Sequence, residues 1–283
     1  MATRSVNQAG LTEPQETRQS MTLLDSMLGP AGRKVIEGVN HLGASIIFLG
    51  KALVMIFRPK VFPEIVTQVY TIGAMSAGIV MMVGLFTGMV LGLQLFYTLV
   101  KVGSTGFLGS AVALSLIREL GPVLTAIMIT ARAGSSMAAE IGIQRISEQI
   151  DALFTMRIDP IRYLISPRIA ASIISFPLLT ALFDLVGIFG GYVTGVVLLG
   201  LNYGTYAHRV QASVEMEDIT CGFVKSIVFA VIVSTVCCFQ GYFTHMRRDS
   251  YGAKAVGLST TSAVVISCVL ILVADYVVTS LLL

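Results

Sequence analysis

Long apolar stretches alternate with short polar ones along most of this chain, a pattern that predicts membrane-spanning helices. Five stretches are long enough to cross a bilayer: residues 70–100, 107–142, 164–199, 219–244 and 255–282. The composition agrees, because 55% of the residues are hydrophobic and only 12% are charged, with a mean hydropathy of +0.83. Globular domains carry about 25% charged residues. The sequence therefore predicts an all-α integral membrane protein with five transmembrane helices.

A further segment, residues 33–57, precedes the first of these stretches. Its apolar residues recur at helical spacing, but charged residues interrupt them and basic residues flank them. This pattern is typical of an amphipathic helix that lies in the membrane interface, and a true span is the alternative. The first 30 residues are polar and predict a disordered extension, residues 1–30, ahead of one membrane domain over residues 31–283.

The distribution of Lys and Arg predicts the orientation. Residues 1–70, 143–168 and 245–254 together hold 14 of them, whereas the loops between these regions hold only Lys101 and Arg209. Because cytoplasmic loops carry the excess of basic residues, the N-terminus is expected in the cytoplasm and the C-terminus on the outer side.

Two glycine features predict helix packing and bending. Gly84, Gly88 and Gly92 repeat every four residues on one face of the first span, and such a stripe lets another helix approach closely. The second stretch would be about 50 Å long if helical throughout, which exceeds a hydrocarbon core of about 30 Å. Gly121-Pro122 predicts a kink within it.

Charged residues interrupt four of the predicted spans. Arg118 and Glu119 fall in the second, Asp184 in the third, Lys225 in the fourth and Asp275 in the fifth, and the predicted topology brings all of them to the outer half of the membrane. Intramembrane charges usually face a bundle interior or a wet cavity. Two interpretations stay open: an ion-pair network that holds the helices together, or a polar cavity suited to a zwitterionic or anionic head group.

Residues 143–157, between the second and third spans, are amphipathic and are predicted to be cytoplasmic. An apolar stripe faces a polar one that includes Arg145, Glu148 and Asp151. We interpret this segment as a docking helix for a partner, and a solvated connecting helix is the alternative.

Several chemistries lack their signatures in this sequence. There is no GxxxxGK[ST] phosphate loop, no GxSxG or HExxH motif, and the four cysteines and three histidines lack zinc-ligand spacing. No metal site and no catalytic centre are predicted, and no ATP hydrolysis through a phosphate loop is expected of this chain. An ion-coupled carrier or channel that uses the buried acids is one function that the buried charges would suit.

Several motifs in order carry a family resemblance. They are LxRELGPVLTA (residues 116–126), ARAGSSMAAEIG (131–142), RISEQIDAL (145–153) and DPIRYLISPR (159–168). Together they resemble the MlaE/YrbE permease family of lipid-transporting ABC systems, over about residues 33–283. The resemblance implies an interfacial N-terminal helix, five spans and a cytoplasmic coupling helix between the second and third spans.

The resemblance also implies an assembly and a function. It implies a homodimeric permease in the bacterial inner membrane that moves phospholipid to or from a periplasmic MCE-domain protein and so contributes to outer-membrane lipid asymmetry. A cytoplasmic ABC ATPase dimer would bind ATP and Mg²⁺, this chain would bind no cofactor, and some systems add a STAS-domain subunit. No nucleic acid is involved.

By position, the resemblance assigns roles to individual residues. Arg118, Glu119, Lys225 and Asp275 would line the lipid cavity. Coupling to the ATPase would fall on four residues of the docking segment: Arg145, Glu148, Gln149 and Asp151.

Overall fold

The computed structural model describes residues 43–56, 62–246 and 252–282. These residues form eight principal helices, and five of them are long and apolar enough to cross a membrane. The five are α2 (Phe62–Val102), α3 (Thr105–Ile146), α5 (Ile161–Leu198), α7 (Met216–Tyr242) and α8 (Ala253–Leu282). The shorter ones are α1 (Gly43–Ile56), α4 (Gln149–Thr155) and α6 (Tyr203–Ser213). The predicted all-α fold with five spans is confirmed.

The boundaries of the first three spans differ from those predicted. α2 and α3 are 41 and 42 residues long, so both extend several residues beyond the apolar stretches that predicted them. Residues 200–218, the polar stretch between the third and fourth predicted spans, are not only a loop. They contain α6, whose first turn is capped by the Asn202 side chain accepting from Thr205 N–H. The predicted extension 1–30 and the first part of the segment 33–57 lie outside the described residues.

The docking segment is not one helix. α3 runs on to Ile146, the chain turns at Ser147 and Glu148, and α4 then begins at Gln149. Glu148 has a φ of 60°, a left-handed conformation that asparagine and glycine adopt more readily than glutamate. Periodicity alone could not predict this break, because the side-chain pattern continues through it.

The second span changes from α-helical to π-helical hydrogen bonding next to the predicted kink. Residues Leu116–Leu120 and Thr130–Gly134 form π-helical turns within α3. The first of these turns ends just before Pro122, which has no N–H to donate to the preceding turn. Single π turns of this kind occur frequently at functional sites, and this one contains Arg118 and Glu119.

The most extensive helix contact joins α2 to α5, and the glycine stripe lies in it. A Cβ added at Gly88 would overlap the backbone carbonyl of Gly187, and one added at Gly92 would lie 3.2 Å from the Cα of Gly191. The two backbones therefore approach as closely as helices can, and no side chain fits between them at Gly88.

α7 is the most buried span. In its most apolar window 61% of the residues are buried, against 22% in α2 and 11% in α8. α7 packs against α3, α5 and α8. The outer faces of α2 and α8 therefore remain available to lipid or to another chain.

The two ends of the bundle are named by the predicted orientation. The end where α3 and α7 begin is the predicted periplasmic end, and the end where α5 and α8 begin is the predicted cytoplasmic end.

Replacing Gly88 tests this packing. Gly88→Leu would force α2 and α5 apart, and overpacking of this kind costs roughly 1–3 kcal/mol or more. We expect a lower unfolding temperature and poor recovery of the purified protein. Gly78→Leu, on the same helix with nothing within 4 Å of its added Cβ, is the matched control and should behave as the unchanged protein does. Equal behaviour of the two variants would contradict the contact.

Candidate functional site: a polar cluster around Lys225

Lys225 is the centre of the polar cluster in the membrane-spanning region. Its side chain is 0% exposed. Its Nζ donates to Glu119 Oε2 at 2.7 Å and to the backbone carbonyl of Arg118 at 2.9 Å, and it pairs with Asp275 Oδ1 at 3.1 Å. An ammonium group has three N–H donors; two of them bond to oxygens of α3, and the contact with Asp275 is an ion pair without hydrogen-bond geometry. A lysine can be buried here because two acids compensate its charge and two of its donors are hydrogen-bonded.

The contact with the Arg118 carbonyl follows from the proline in α3. In a regular α-helix this carbonyl would accept from the N–H four residues later, which is position 122. Pro122 has no N–H, so the carbonyl lacks that donor. The Lys225 ammonium occupies the place of the missing donor, and α3 and α7 are thereby joined at the π turn.

Arg118 takes a partner that the sequence did not indicate. Its Nε donates to Asp218 Oδ1 at 2.5 Å, so its side chain does not pair with Glu119 or Asp275. Asp218 is buried in the first turn of α7, where it also accepts from Glu215 N–H in a capping box. The sequence suggested only a polar loop at this position. The capping pattern, an acid three residues after Glu215 and ahead of an apolar run, was the available signal.

The cluster is open on one side. The Arg118 side chain is 48% exposed and that of Glu119 is 43% exposed, whereas Lys225 and Asp218 lie behind them. Glu119 Oε1 also accepts from Thr279 on α8 at 3.3 Å. In the described part of the chain, no other group accepts from the Arg118 guanidinium. Its remaining N–H groups are therefore suited to contact an anionic oxygen of a ligand.

Asp184 does not join this network. Its Oδ1 is buried without a hydrogen-bond partner among the described residues, and it lies against Gly121, where a Cβ could not fit. The expected set of two cations and three acids is therefore completed by Asp218 in place of Asp184.

The cluster lies well inside the hydrophobic layer. Lys225 stands about nine residues after the first residue of α7, which at about 1.5 Å per residue is roughly 14 Å from that end. Asp275 stands about seven residues before the last described residue of α8, roughly 10 Å by the same measure. Three spans thus bring charged groups together nearer the predicted periplasmic end than the cytoplasmic one.

Three of the predicted coupling residues line one cleft at the opposite end of the bundle. The cleft has a volume of about 270 Å³ and includes Arg145, Glu148, Asp151 and His245. Arg145 pairs with Asp151 at 2.8 Å and donates to His245 Nδ1 at 2.9 Å. Burial and the Arg145 guanidinium lower the pKa of His245 from its usual value, so a neutral ring accepts this bond at neutral pH. Gln149, the fourth predicted residue, is exposed at the start of α4.

Two further arginines hold the spans together towards this end. Arg168 is buried and pairs with Glu140 at 2.9 Å, which joins α5 to α3. Arg132 donates to the carbonyl of Thr71 and to Ser76 Oγ, which joins α3 to α2. Neither of these pairings was indicated by the sequence. Among the described residues, no group of three His, Cys, Asp or Glu is placed to hold a metal ion.

The fold and this cluster define a multi-pass membrane protein with a buried polar site, and comparison with known proteins gives its family. A family model for "Permease MlaE" matches residues 65–281. The chain is 37% identical to the intermembrane phospholipid transport system permease protein MlaE of Haemophilus influenzae, over 92% of this chain and 98% of that protein. It is 39% identical to a probable ABC transporter permease protein of Rickettsia bellii, over 92% and 98%.

A plant protein is also similar. The chloroplastic protein TRIGALACTOSYLDIACYLGLYCEROL 1 of Arabidopsis thaliana is 34% identical over 83% of this chain and 66% of its own length. The match to the family model and the coverage of the bacterial relatives lead to one conclusion. The chain belongs to the MlaE permease family.

Removing single members of the cluster should have unequal effects on stability. Lys225→Met leaves Glu119 and Asp275 facing each other without a cation, and loss of one partner from a buried pair costs roughly 3 kcal/mol or more. Asp275→Asn leaves Lys225 paired with Glu119 and should cost only about 1 kcal/mol. Thermal unfolding of the detergent-purified variants measures the difference, with the exposed Lys101→Met as control. Equal losses for the two cluster variants would contradict the central position of Lys225.

Proposed function

We propose that this chain is the permease subunit of an ABC transporter that moves phospholipid between the bacterial inner membrane and a periplasmic MCE-domain partner. In this way it would contribute to the lipid asymmetry of the outer membrane. The name of the Haemophilus influenzae relative supports phospholipid as the substrate class. Two copies of the chain would form the permease, with a cytoplasmic ATPase dimer supplying ATP hydrolysis and a STAS-domain subunit as a further candidate partner.

The half-open polar cluster is the observation that carries this proposal. Arg118 and Glu119 present opposite charges on the open side, which suits the phosphate and the cationic group of a zwitterionic head group. Lys225 behind them holds Glu119 and Asp275 in place when no lipid is bound. The exposed apolar faces of α2 and α8 could accommodate acyl chains or the second copy.

The distribution of Lys and Arg supports the orientation in this proposal. It favours a cytoplasmic N-terminus and a periplasmic C-terminus, so the cluster would open toward the periplasmic partner. The cleft around Arg145 and Glu148 would then face the cytoplasm, where an ATPase could dock. Its alternating charges, two acids and one arginine, suit a polar contact with another protein.

The relatives weigh against an ion-coupled carrier. Such a carrier would work without an ATPase, whereas the Rickettsia bellii relative is named a probable ABC transporter permease. Asp184, whose buried Oδ1 has no hydrogen-bond partner in the described part of the chain, lies outside the cluster rather than in it.

A neutral version of the cluster separates a functional role from a structural one. The triple variant Glu119→Gln, Lys225→Met, Asp275→Leu removes all three charges together, so no buried charge is left unpaired. We expect its unfolding temperature to recover relative to Lys225→Met alone. Cross-linking to a photoactivatable phospholipid and ATP-driven lipid transfer in the assembled complex should stay at least tenfold lower than in the unchanged protein.

The opposite result has a clear meaning. If the triple variant regains both stability and lipid transfer, the cluster is only an ion-pair network that holds the helices together. Gly78→Leu, at a position far from the cluster in sequence where an added Cβ meets nothing within 4 Å, serves as the transport control.

Two replacements of Glu148 test the coupling role. Glu148→Gly removes the carboxylate at a left-handed position that glycine adopts without strain, so the turn itself should be preserved. Glu148→Lys reverses the charge. If Glu148 contacts the ATPase, both should lower ATP turnover of the assembled complex, on the order of tenfold for loss of one charge-assisted hydrogen bond.

A purely structural role for Glu148 predicts a different order. The glycine variant would then match or exceed the unchanged protein in ATP turnover, because backbone strain is relieved. That outcome, with normal ATPase co-purification, would contradict docking through this side chain.

A further inference from the structure

A second cleft lies at the predicted cytoplasmic end, apart from the one around Arg145. It has a volume of about 590 Å³ and lies between α1, the turn after α4, and the adjoining ends of α5 and α7. Five of its lining residues are largely apolar: Met55, Phe154, Ile158, Ile161 and Tyr242. This volume is within the range of about 300–1,000 Å³ that small-molecule sites occupy.

The cleft lies at the level where lipid head groups meet the hydrocarbon. Ile161 is the first residue of α5 and Tyr242 is the last residue of α7, and both line the cleft. The ends of membrane-spanning helices mark the boundary of the apolar layer, and tyrosine is enriched at that boundary. A molecule bound here would therefore have one part among head groups and another in the apolar layer.

The polar lining of the cleft is positively charged. Lys51 and Arg157 line it, and neither forms an ion pair within the described ranges. The one acid, Asp159, accepts a hydrogen bond from the Ile161 N–H at 3.0 Å and so caps the start of α5. The cleft thus combines two uncompensated cations with one carboxylate that already has a donor.

The backbone at Arg157 is unusual for a residue of its size. Arg157 has a φ of 57° and ends α4 with two reverse hydrogen bonds, Arg157 N–H to Phe154 O and Ile158 N–H to Leu153 O. Gly103 ends α2 with the same pair of bonds and a φ of 70°. Glycine is the usual residue at this position, and strained backbone of this kind clusters at ligand sites.

We propose that this cleft binds an anionic phospholipid of the cytoplasmic leaflet, with its phosphate on Lys51 and Arg157 and its glycerol and upper acyl chains against Met55, Phe154 and Ile158. The charge, the apolar lining and the level at the helix ends all fit this ligand. The site is separate from the Lys225 cluster, so the bound lipid is a resident of the complex and not the lipid that is moved. The leaflet follows from the predicted orientation.

Variants at Arg157 can remove the charge without disturbing the turn. Asparagine tolerates the left-handed conformation, so Arg157→Asn should fold at least as well as the unchanged protein. Arg157→Lys keeps the charge. Lys51→Gln removes the second cation, and Lys254→Gln removes an exposed cation at the same end of the bundle that does not line the cleft.

The measurement is the amount of phosphatidylglycerol that stays bound to the full-length protein. The protein is released from nanodiscs of equal parts phosphatidylglycerol and phosphatidylcholine and analysed by native mass spectrometry. We expect each lost cation to lower the retained phosphatidylglycerol, relative to phosphatidylcholine, roughly fivefold, and the double variant to lower it on the order of 25-fold. Arg157→Lys and Lys254→Gln should change it less than twofold. Glycerol 3-phosphate, which has the charge but no acyl chains, should not displace the lipid.

One result would overturn the proposal: the Lys51→Gln, Arg157→Asn double variant retains as much phosphatidylglycerol as the unchanged protein. If that variant also loses a co-purifying ATPase, the cleft is a protein contact instead. This result does not bear on the Lys225 cluster, whose role in transport is measured separately with the neutral triple variant.

Discussion

The bond between the Lys225 ammonium and the Arg118 carbonyl is the contact on which the arrangement of the polar cluster depends. Pro122 removes the regular donor to this carbonyl, and an unsatisfied backbone group within a membrane costs several kcal/mol. Lys225 satisfies the carbonyl from a neighbouring helix, so α3 and α7 are fixed in register at the π turn. That register leaves Glu119 within reach of Lys225 and directs the Arg118 side chain to Asp218 instead. Pro122, the π turn and Lys225 therefore depend on one another in this arrangement.

The sequence was sufficient for the positions of the charges but not for their pairing. The depth of a residue along its span follows from residue counting, because every residue adds about 1.5 Å of helix. Since successive spans cross the membrane in opposite directions, these depths place the charges in the same half of the membrane. Pairing depends on how each helix is rotated about its axis, and the π turn at Leu116–Leu120 changes that rotation within α3. This is why Lys225, Glu119 and Asp275 were expected together and are found together, whereas the pairing of Arg118 with Asp218 was missed and Asp184, expected only at a similar depth, takes no part in the network. Glycine spacing was more informative, since a stripe with a period of four needs only a straight helix face.

The two ends of α4 share a feature that periodicity could not reveal. Glu148 precedes it and Arg157 follows it, and both have left-handed backbone in place of the glycine that usually occupies such positions. Each costs roughly 1 kcal/mol or more relative to glycine. In α2, where no polar side chain is needed at the turn, the same conformation is supplied by Gly103. The proposed roles of these two charged side chains would account for this strain. One lies in the cleft proposed for the ATPase and the other in the cleft proposed for an anionic lipid.

Rigid and open regions are divided between different helix pairs. α2 and α5 meet through backbone at Gly88 and Gly187, and a contact without side chains between the backbones has few alternative packings. At the polar cluster, by contrast, α3, α7 and α8 meet through charged side chains, two of which are nearly half exposed. Ionic contacts can exchange partners when a charged ligand enters, because the ligand can replace the oxygen or nitrogen that is displaced. A lipid phosphate near Arg118 would compete with Asp218 for the guanidinium, and Asp218 also caps α7 through Glu215. Under the proposed function, occupancy of the cluster would therefore be connected to the first turn of the most buried span.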